Sequence, residues 1–180
     1  TLISVLILAL VMSISGKGLS DSQKSRFNFK DPCTRYREKT GYQVCNGYIA
    51  INSGGLLGSG YGNSKQKYLY LPEAHTDFIF AIISEEFGFI GILVIAFLFL
   101  TLFYNTLKVS LECNDLFGKY LSFGLVISLI LQAVLNICVV IGLVPVTGVT
   151  LPFLSYGGSS LLVTMASVGI ILNIAKDKNK

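Results

Sequence analysis

Three side chains able to move protons or ligate metals fall within five positions of the stretch LPEAHTDFIF, residues 71–80: Glu73, His75 and Asp77. A carboxylate there can take the proton of an attacking hydroxyl, a contribution worth ~10²- to 10⁴-fold in a group transfer. His75 shares a face with Asp77 only if the segment is extended, because on a helix side chains two residues apart point ~200° from each other. A hydrogen bond that fixes the loop is therefore the simpler role for His75, and Asp77 is the carboxylate at the mouth of the apolar run. Upstream, Gly54, Gly55, Gly58, Gly60 and Gly62 precede Lys65 and Lys67. The spacing is not that of a P-loop, since no Gly-Lys-Ser/Thr follows, but backbone N–H groups and two lysines could still receive a pyrophosphate. The competing reading is that the glycines only let the loop turn sharply. Asp77 or Glu73 could serve as oxygen ligands to a divalent ion, although no spacing requires one and no metal site is assigned. Ser155 and Ser159 flank Tyr156-Gly157-Gly158, but no base is placed to activate either serine.

These groups must be held by membrane helices. Of the 180 residues, 52% are hydrophobic and 13% charged, about half the ~25% charged share of soluble domains. Apolar runs at 78–104, 121–144 and 154–175 each meet the ~20 residues needed to cross a bilayer. The run at 2–14 is too short and reads as the outer end of a further helix. Lysines flank the 105–120 connection and close the chain, whereas the 145–153 connection has no charge, so the first two face the cytoplasm. The chain then divides into the end of a membrane helix (1–15), a large outer loop with a re-entrant or interfacial element (16–77), a span (78–104), a cytoplasmic loop (105–120), a span (121–144), an outer loop (145–153), a span (154–175) and a tail (176–180). The outer loop carries nine Lys/Arg against five Asp/Glu, which suits headgroups or an anionic ligand. Cys33 and Cys45 share that loop and could pair in an oxidising compartment, but unpaired small residues are the simpler reading.

Helical phase ranks the acids. If the helix is regular from residue 77, Ser84, Gly88 and Gly91 lie within ~40° of Asp77 and Glu85 lies ~80° away. Glu85 and Glu86 fall about two turns inside an apolar helix, where carboxylates are costly, so Glu85 is a candidate for a shared cavity or for a structural bond. Gly124, Ser128, Gln132 and Asn136 recur every four residues, and small residues recur at three and four in the last span. Close packing of helices explains such stripes, while Gln132 and Asn136 could instead line a polar cavity. Ser155, or a serine after it, is expected to cap the last helix.

The stretches GLLGSGYGNSKQKYLYLPEAHTDFIFAIISEEFGFIG and PVTGVTLPFLSYGGSSLLV resemble the two signature regions of the SEDS family (shape, elongation, division and sporulation: FtsW, RodA, SpoVE). The resemblance covers roughly residues 41–175, and Ala74, where the elongation branch tends to carry arginine, favours the division and sporulation branch. SRFNFKDPCTRYREKTGYQ departs from that branch, matching only at Asp31-Pro32 and Gly41-Tyr42-Gln43. The resemblance implies an all-α polytopic membrane protein, this chain forming the C-terminal four helices of a ten-helix bundle. It also implies polymerisation of lipid II, the undecaprenyl-pyrophosphate-linked disaccharide peptide, at the outer face of the cytoplasmic membrane during septal or spore wall synthesis. The family's essential aspartate falls on Asp77, which would then accept the proton of the attacking sugar hydroxyl; the residues themselves offer Lys65, Lys67, Glu73, His75 and Glu85 as substrate-binding candidates. Pro152, Ser155, Tyr156, Gly157, Gly158 and Ser159 form the structural motif. Implied partners are a class B penicillin-binding protein, other divisome membrane proteins and membrane lipids, with no nucleic acid. A lipid II flippase and a non-catalytic divisome scaffold are the alternatives.

Overall fold

The computed structural model describes residues 31–71 and 75–177, and among them every regular element is helical. The short membrane-helix end expected over 1–15 lies outside the described residues. A 3₁₀ turn, Pro32–Arg35, leads into α1, Lys39–Gly54. Cys33 and Cys45 are joined by a disulfide that ties this turn to α1, so the reading of them as unpaired is corrected. A single helical turn follows, α2, Lys65–Leu69. Three long helices complete the fold: α3, Ile79–Glu112, α4, Leu116–Val140, and α5, Gly158–Asp177. All three are long and apolar enough to cross a membrane.

The ends of these helices differ from the expected spans for local reasons. α3 runs past 104 to Glu112, because the polar residues after Tyr104 extend the helix beyond the apolar core. Only 113–115 connect it to α4, where the Asp115 carboxylate accepts from the Gly118 N–H at 2.7 Å and caps the helix. α4 stops at Val140, and the last helix starts at Gly158 instead of 154. Ser155 does not cap it. The Ser155 hydroxyl lies within the 141–157 segment and bonds elsewhere, as described below.

α3 is broken. Gly88 sits at φ 65, ψ −162, outside helical geometry, and the loop after α1 is laid into the gap. Carbonyls of Glu85 and Glu86 that a continuous helix would pair with Phe89 and Ile90 accept instead from the N–H groups of Ser59 (2.9 Å) and Gly60 (3.0 Å). The N–H groups of Phe89 and Ile90 donate in turn to Gly55 (2.9 Å) and Leu56 (3.3 Å). Backbone meets backbone so closely that a Cβ on Gly58 would strike the Glu86 carbonyl, and one on Gly88 would strike the Gly58 nitrogen. The glycines serve this insertion. Because the loop amides of Gly58, Ser59, Gly60 and Asn63 all donate within the protein, the expected backbone cradle for a pyrophosphate is not what they form. The break also ends the regular phase assumed from residue 77: Asp77 lies outside the helix, Phe78 caps it at φ −107, and Gly91 belongs to the segment beyond the kink.

Around the break the protein is well packed. Val44 and Ala50 of α1 meet Phe78, Phe80, Ala81 and Ile82 at the start of α3, Ala133 and Val140 of α4, and Leu71 and Leu151. The Tyr48 ring abuts Gly142, where no Cβ would fit, and burial pushes its phenol pKa up. Ser122, Thr164 and Ser167 bond carbonyls of their own helices, as hydroxyls in close-packed membrane helices do.

Candidate active site at the Asp77 junction

Asp77 is half-buried in the turn that enters α3. Its carboxylate faces the 141–157 segment, with Oδ2 3.5 Å from the position of a Cβ built on Gly148, itself at φ +76. The backbone beneath it is fixed from outside α3. The carbonyl of His75 accepts from the Tyr156 N–H at 2.7 Å, that of Thr76 from the Ser155 hydroxyl at 2.6 Å, and that of Asp77 from the Asn136 side-chain amide at 2.9 Å. Asn136 is fully buried on α4, and its second N–H goes to the Val149 carbonyl at 2.6 Å. One turn earlier, Gln132 donates to the carbonyl and hydroxyl of Thr150 at 3.0 and 3.3 Å, and the Thr150 hydroxyl meets Ser160 of α5 at 2.8 Å. Asn136 is ~30 Å along α4 from Leu116, about the thickness of a bilayer's hydrocarbon core, so Asp77 stands near its edge.

The other expected site residues divide clearly. His75 is exposed and contributes its backbone to the junction. Glu73 lies outside the described residues. Glu85 is buried and committed to the start of α2, where its carboxylate accepts from the Ser64 hydroxyl and from the Lys65 N–H at 3.1 Å. Lys67 pairs with buried Glu86 at 3.4 Å, while the Lys65 side chain is exposed. Pro152 and Ser155 are buried, Tyr156 is 82% exposed, and Gly157 immediately precedes Gly158, the first residue of α5. Ser159 is exposed and, with Ser160, Gln132, Ser128, Thr164 and Ser167, lines a groove of about 300 Å³ between α4 and α5. Among the described residues no three His, Cys, Asp or Glu side chains gather as a metal site would require.

The sequence alone hid what holds the junction. Ser155 and Tyr156 stood in a signature stretch without showing their partners, and Asn136 and Gln132 are amides spaced four apart in an apolar helix, which reads first as helix glue. Thr76, Gly148, Val149 and Thr150 also lie in the signature stretches, but their types announce no such contacts.

The described part of the chain thus defines a multi-pass helical membrane protein with one carboxylate mounted where the helices meet a folded loop. Its residues 1–180 match the family model described as "Cell cycle protein", and the chain belongs to the FtsW/RodA/SpoVE family. Over 135 residues it is 50% identical to the probable peptidoglycan glycosyltransferase FtsW of Geobacter sp. (strain M18), covering 75% of this chain and 37% of that protein. It is 48% identical over 137 residues to stage V sporulation protein E of Bacillus subtilis (strain 168), with 76% and 37% covered. The probable peptidoglycan glycosyltransferase FtsW of the same organism is 41% identical over 174 residues, 97% of this chain and 43% of that protein. The chain therefore spans well under half the length of these curated relatives. Among solved structures, a chain from a peptidoglycan synthase complex studied for its coordination of polymerization and crosslinking superposes with a TM-score of 0.69 at 29% identity, covering 98% of this chain and 48% of that one. The rod shape determining protein RodA of Thermus thermophilus gives 0.55 at 39% identity, with 59% and 35% covered.

Proposed function

We propose that the whole protein of which this chain is a part polymerises lipid II into glycan strands at the outer face of the cytoplasmic membrane, in septal or spore wall synthesis, with Asp77 as general base. The observation that carries this reading is the placement of Asp77: a half-buried carboxylate near the hydrocarbon edge, in a chain whose relatives bear the name peptidoglycan glycosyltransferase. A sugar hydroxyl attacking an anomeric carbon is a weak nucleophile at neutral pH. Asp77 accepts its proton as the new glycosidic bond forms and the bond to the undecaprenyl pyrophosphate breaks, and the pyrophosphate leaves as an anion. The leaving charge calls for a cation, and Lys65 is the candidate with an exposed side chain, since Lys67 already faces Glu86. Glu85 belongs to the fold of the loop in this reading, and His75 to the backbone of the junction. A divalent ion, if used, would draw on Asp77 and Glu73 as oxygen donors. The partner expected is a class B penicillin-binding protein at the septum, alongside other divisome membrane proteins; a structural relative comes from a peptidoglycan synthase complex.

The test uses full-length protein with its transpeptidase partner and lipid II in detergent. Asp77→Asn is expected to abolish polymer while lipid II binding and complex formation persist. Normal polymerisation by that variant would overturn the reading. A lipid-translocating function draws support from the broken helix α3, since broken helices line transport paths. Here the break is sealed by loop backbone, which favours the enzyme.

A further inference from the structure

We propose that Asn136 and Ser155 are positioning residues that set the Asp77 carboxylate for proton transfer, with the loop around Ser155 as their mount; the proposal rests on Asp77 being the base. Residues 75–77 lie in the turn before α3, ahead of the Phe78 carbonyl that accepts its first helical bonds, so helical hydrogen bonding does not orient them. Three successive carbonyls, those of residues 75 to 77, are instead taken by donors from other parts of the chain: the Tyr156 N–H, the Ser155 hydroxyl and the Asn136 amide. The bonds to Thr76 and Asp77 fix the peptide planes on the two sides of the Asp77 Cα, and the bond to His75 fixes the plane before them. The direction of the Asp77 Cβ follows, and only two side-chain torsions are then left to place the carboxylate.

The chemistry of Asn136 suits this duty and not a generic packing one. Both of its amide hydrogens are used, on Asp77 and Val149, and its Oδ1 is buried without a hydrogen-bond partner. The opposite amide orientation would set Oδ1 against two carbonyls, so the donor role decides which way the group points. A side chain kept on an apolar helix at the cost of an orphaned acceptor implies that its donors are needed. Ser155 is equally committed: its Oγ donates to the Thr76 carbonyl and accepts from the Leu151 N–H at 2.7 Å. Thr150, held by Gln132 of α4 and by Ser160 of α5, braces the same loop. The base is thus aimed by α4 and α5, although it is covalently joined to α3.

The experiment compares steady-state polymerisation by the full-length protein with its transpeptidase partner. Ser155→Ala and Asn136→Leu are expected to be folded and to lower kcat about 10- to 100-fold, with KM for lipid II within about twofold. Ser155→Thr, which keeps the hydroxyl, is expected to recover most of the lost kcat. Ser122→Ala, which removes a buried hydroxyl bonded only to α4's own carbonyls, is expected to leave kcat unchanged. The proposal fails if Ser155→Ala keeps wild-type kcat, if its defect lies in KM alone, if Ser155→Thr is as impaired as Ser155→Ala, or if both Ser155→Ala and Asn136→Leu simply lose the fold. If Asp77→Asn is inactive while both positioning variants turn over normally, this proposal alone falls. If Asp77→Asn itself polymerises, the reading beneath it falls.

Discussion

Glu85 and Glu86 show how adjacent buried acids can hold a fold together. A buried carboxylate is tolerable only when its oxygens are occupied, and Glu85 meets a hydroxyl and an amide at the start of α2 while Glu86 meets the Lys67 ammonium. Removing the acceptor in Glu85→Ala leaves the Ser64 hydroxyl and the Lys65 N–H without it, a loss of about 1–3 kcal/mol. Thermal unfolding of the purified full-length protein measures this, and a variant as stable as wild type would show that Glu85 does not hold α2. Lys67→Met strands the Glu86 charge. A fully buried pair broken this way loses about 3–5 kcal/mol, but the lysine is 21% exposed, so about 1–3 kcal/mol is expected. Adding Glu86→Gln to Lys67→Met removes the stranded charge and is expected to restore most of that stability. A double variant less stable than Lys67→Met would refute the pairing.

At the scale of elements, the insertion of the 54–60 loop into α3 is the feature on which the site depends, because it fixes where the stub beginning at Ile79 points. Gly88→Ala is expected to destabilise by more than about 2 kcal/mol, since its φ of 65 is strained for any residue with a Cβ and that Cβ would meet loop backbone, which cannot move aside. Gly124→Ala, on α4 with nothing near a new Cβ, is expected to be neutral or to stabilise by up to about 1 kcal/mol. Denaturation midpoints of the two variants check the contrast, and equal effects would mean that the break carries no constraint. The same feature marks the limit of what the sequence discloses. The three spans were legible because a predominantly apolar run of bilayer length is rare in any setting but a membrane. Their ends were not, because helices continue through polar residues such as those between Tyr104 and Glu112. Gly88 looked like a small packing residue, since a glycine in an apolar helix gives no sign that a loop about 30 residues earlier will pair with the backbone around it. Asp77 was legible from residue type and place, whereas its bond to Asn136 joins residues 59 apart, and no local pattern announces such a partner.

For the molecule as a whole, the disulfide and the free cysteines make topology measurable. Cys33–Cys45 closes a short loop across a separation of 12 residues, worth about 3 kcal/mol in the chain-entropy account, and such bonds persist where the compartment is oxidising. Cys113 is free and lies in the connection between α3 and α4, one length of α4 away from the Asp77 junction. If the Asp77 end of the bundle faces outward, as glycan synthesis at the outer surface requires, the two chemistries fall on opposite sides of the membrane. In intact cells, after mild reduction from outside, an impermeant maleimide is then expected to modify the exposed Cys33, and Cys113 only after lysis. A Cys33→Ser, Cys45→Ser protein gives the background for Cys113 and Cys138 alone. Labelling of Cys113 in intact cells would invert the bundle, place Asp77 in the cytoplasm and remove the carboxylate from any reaction with a substrate presented at the outer surface.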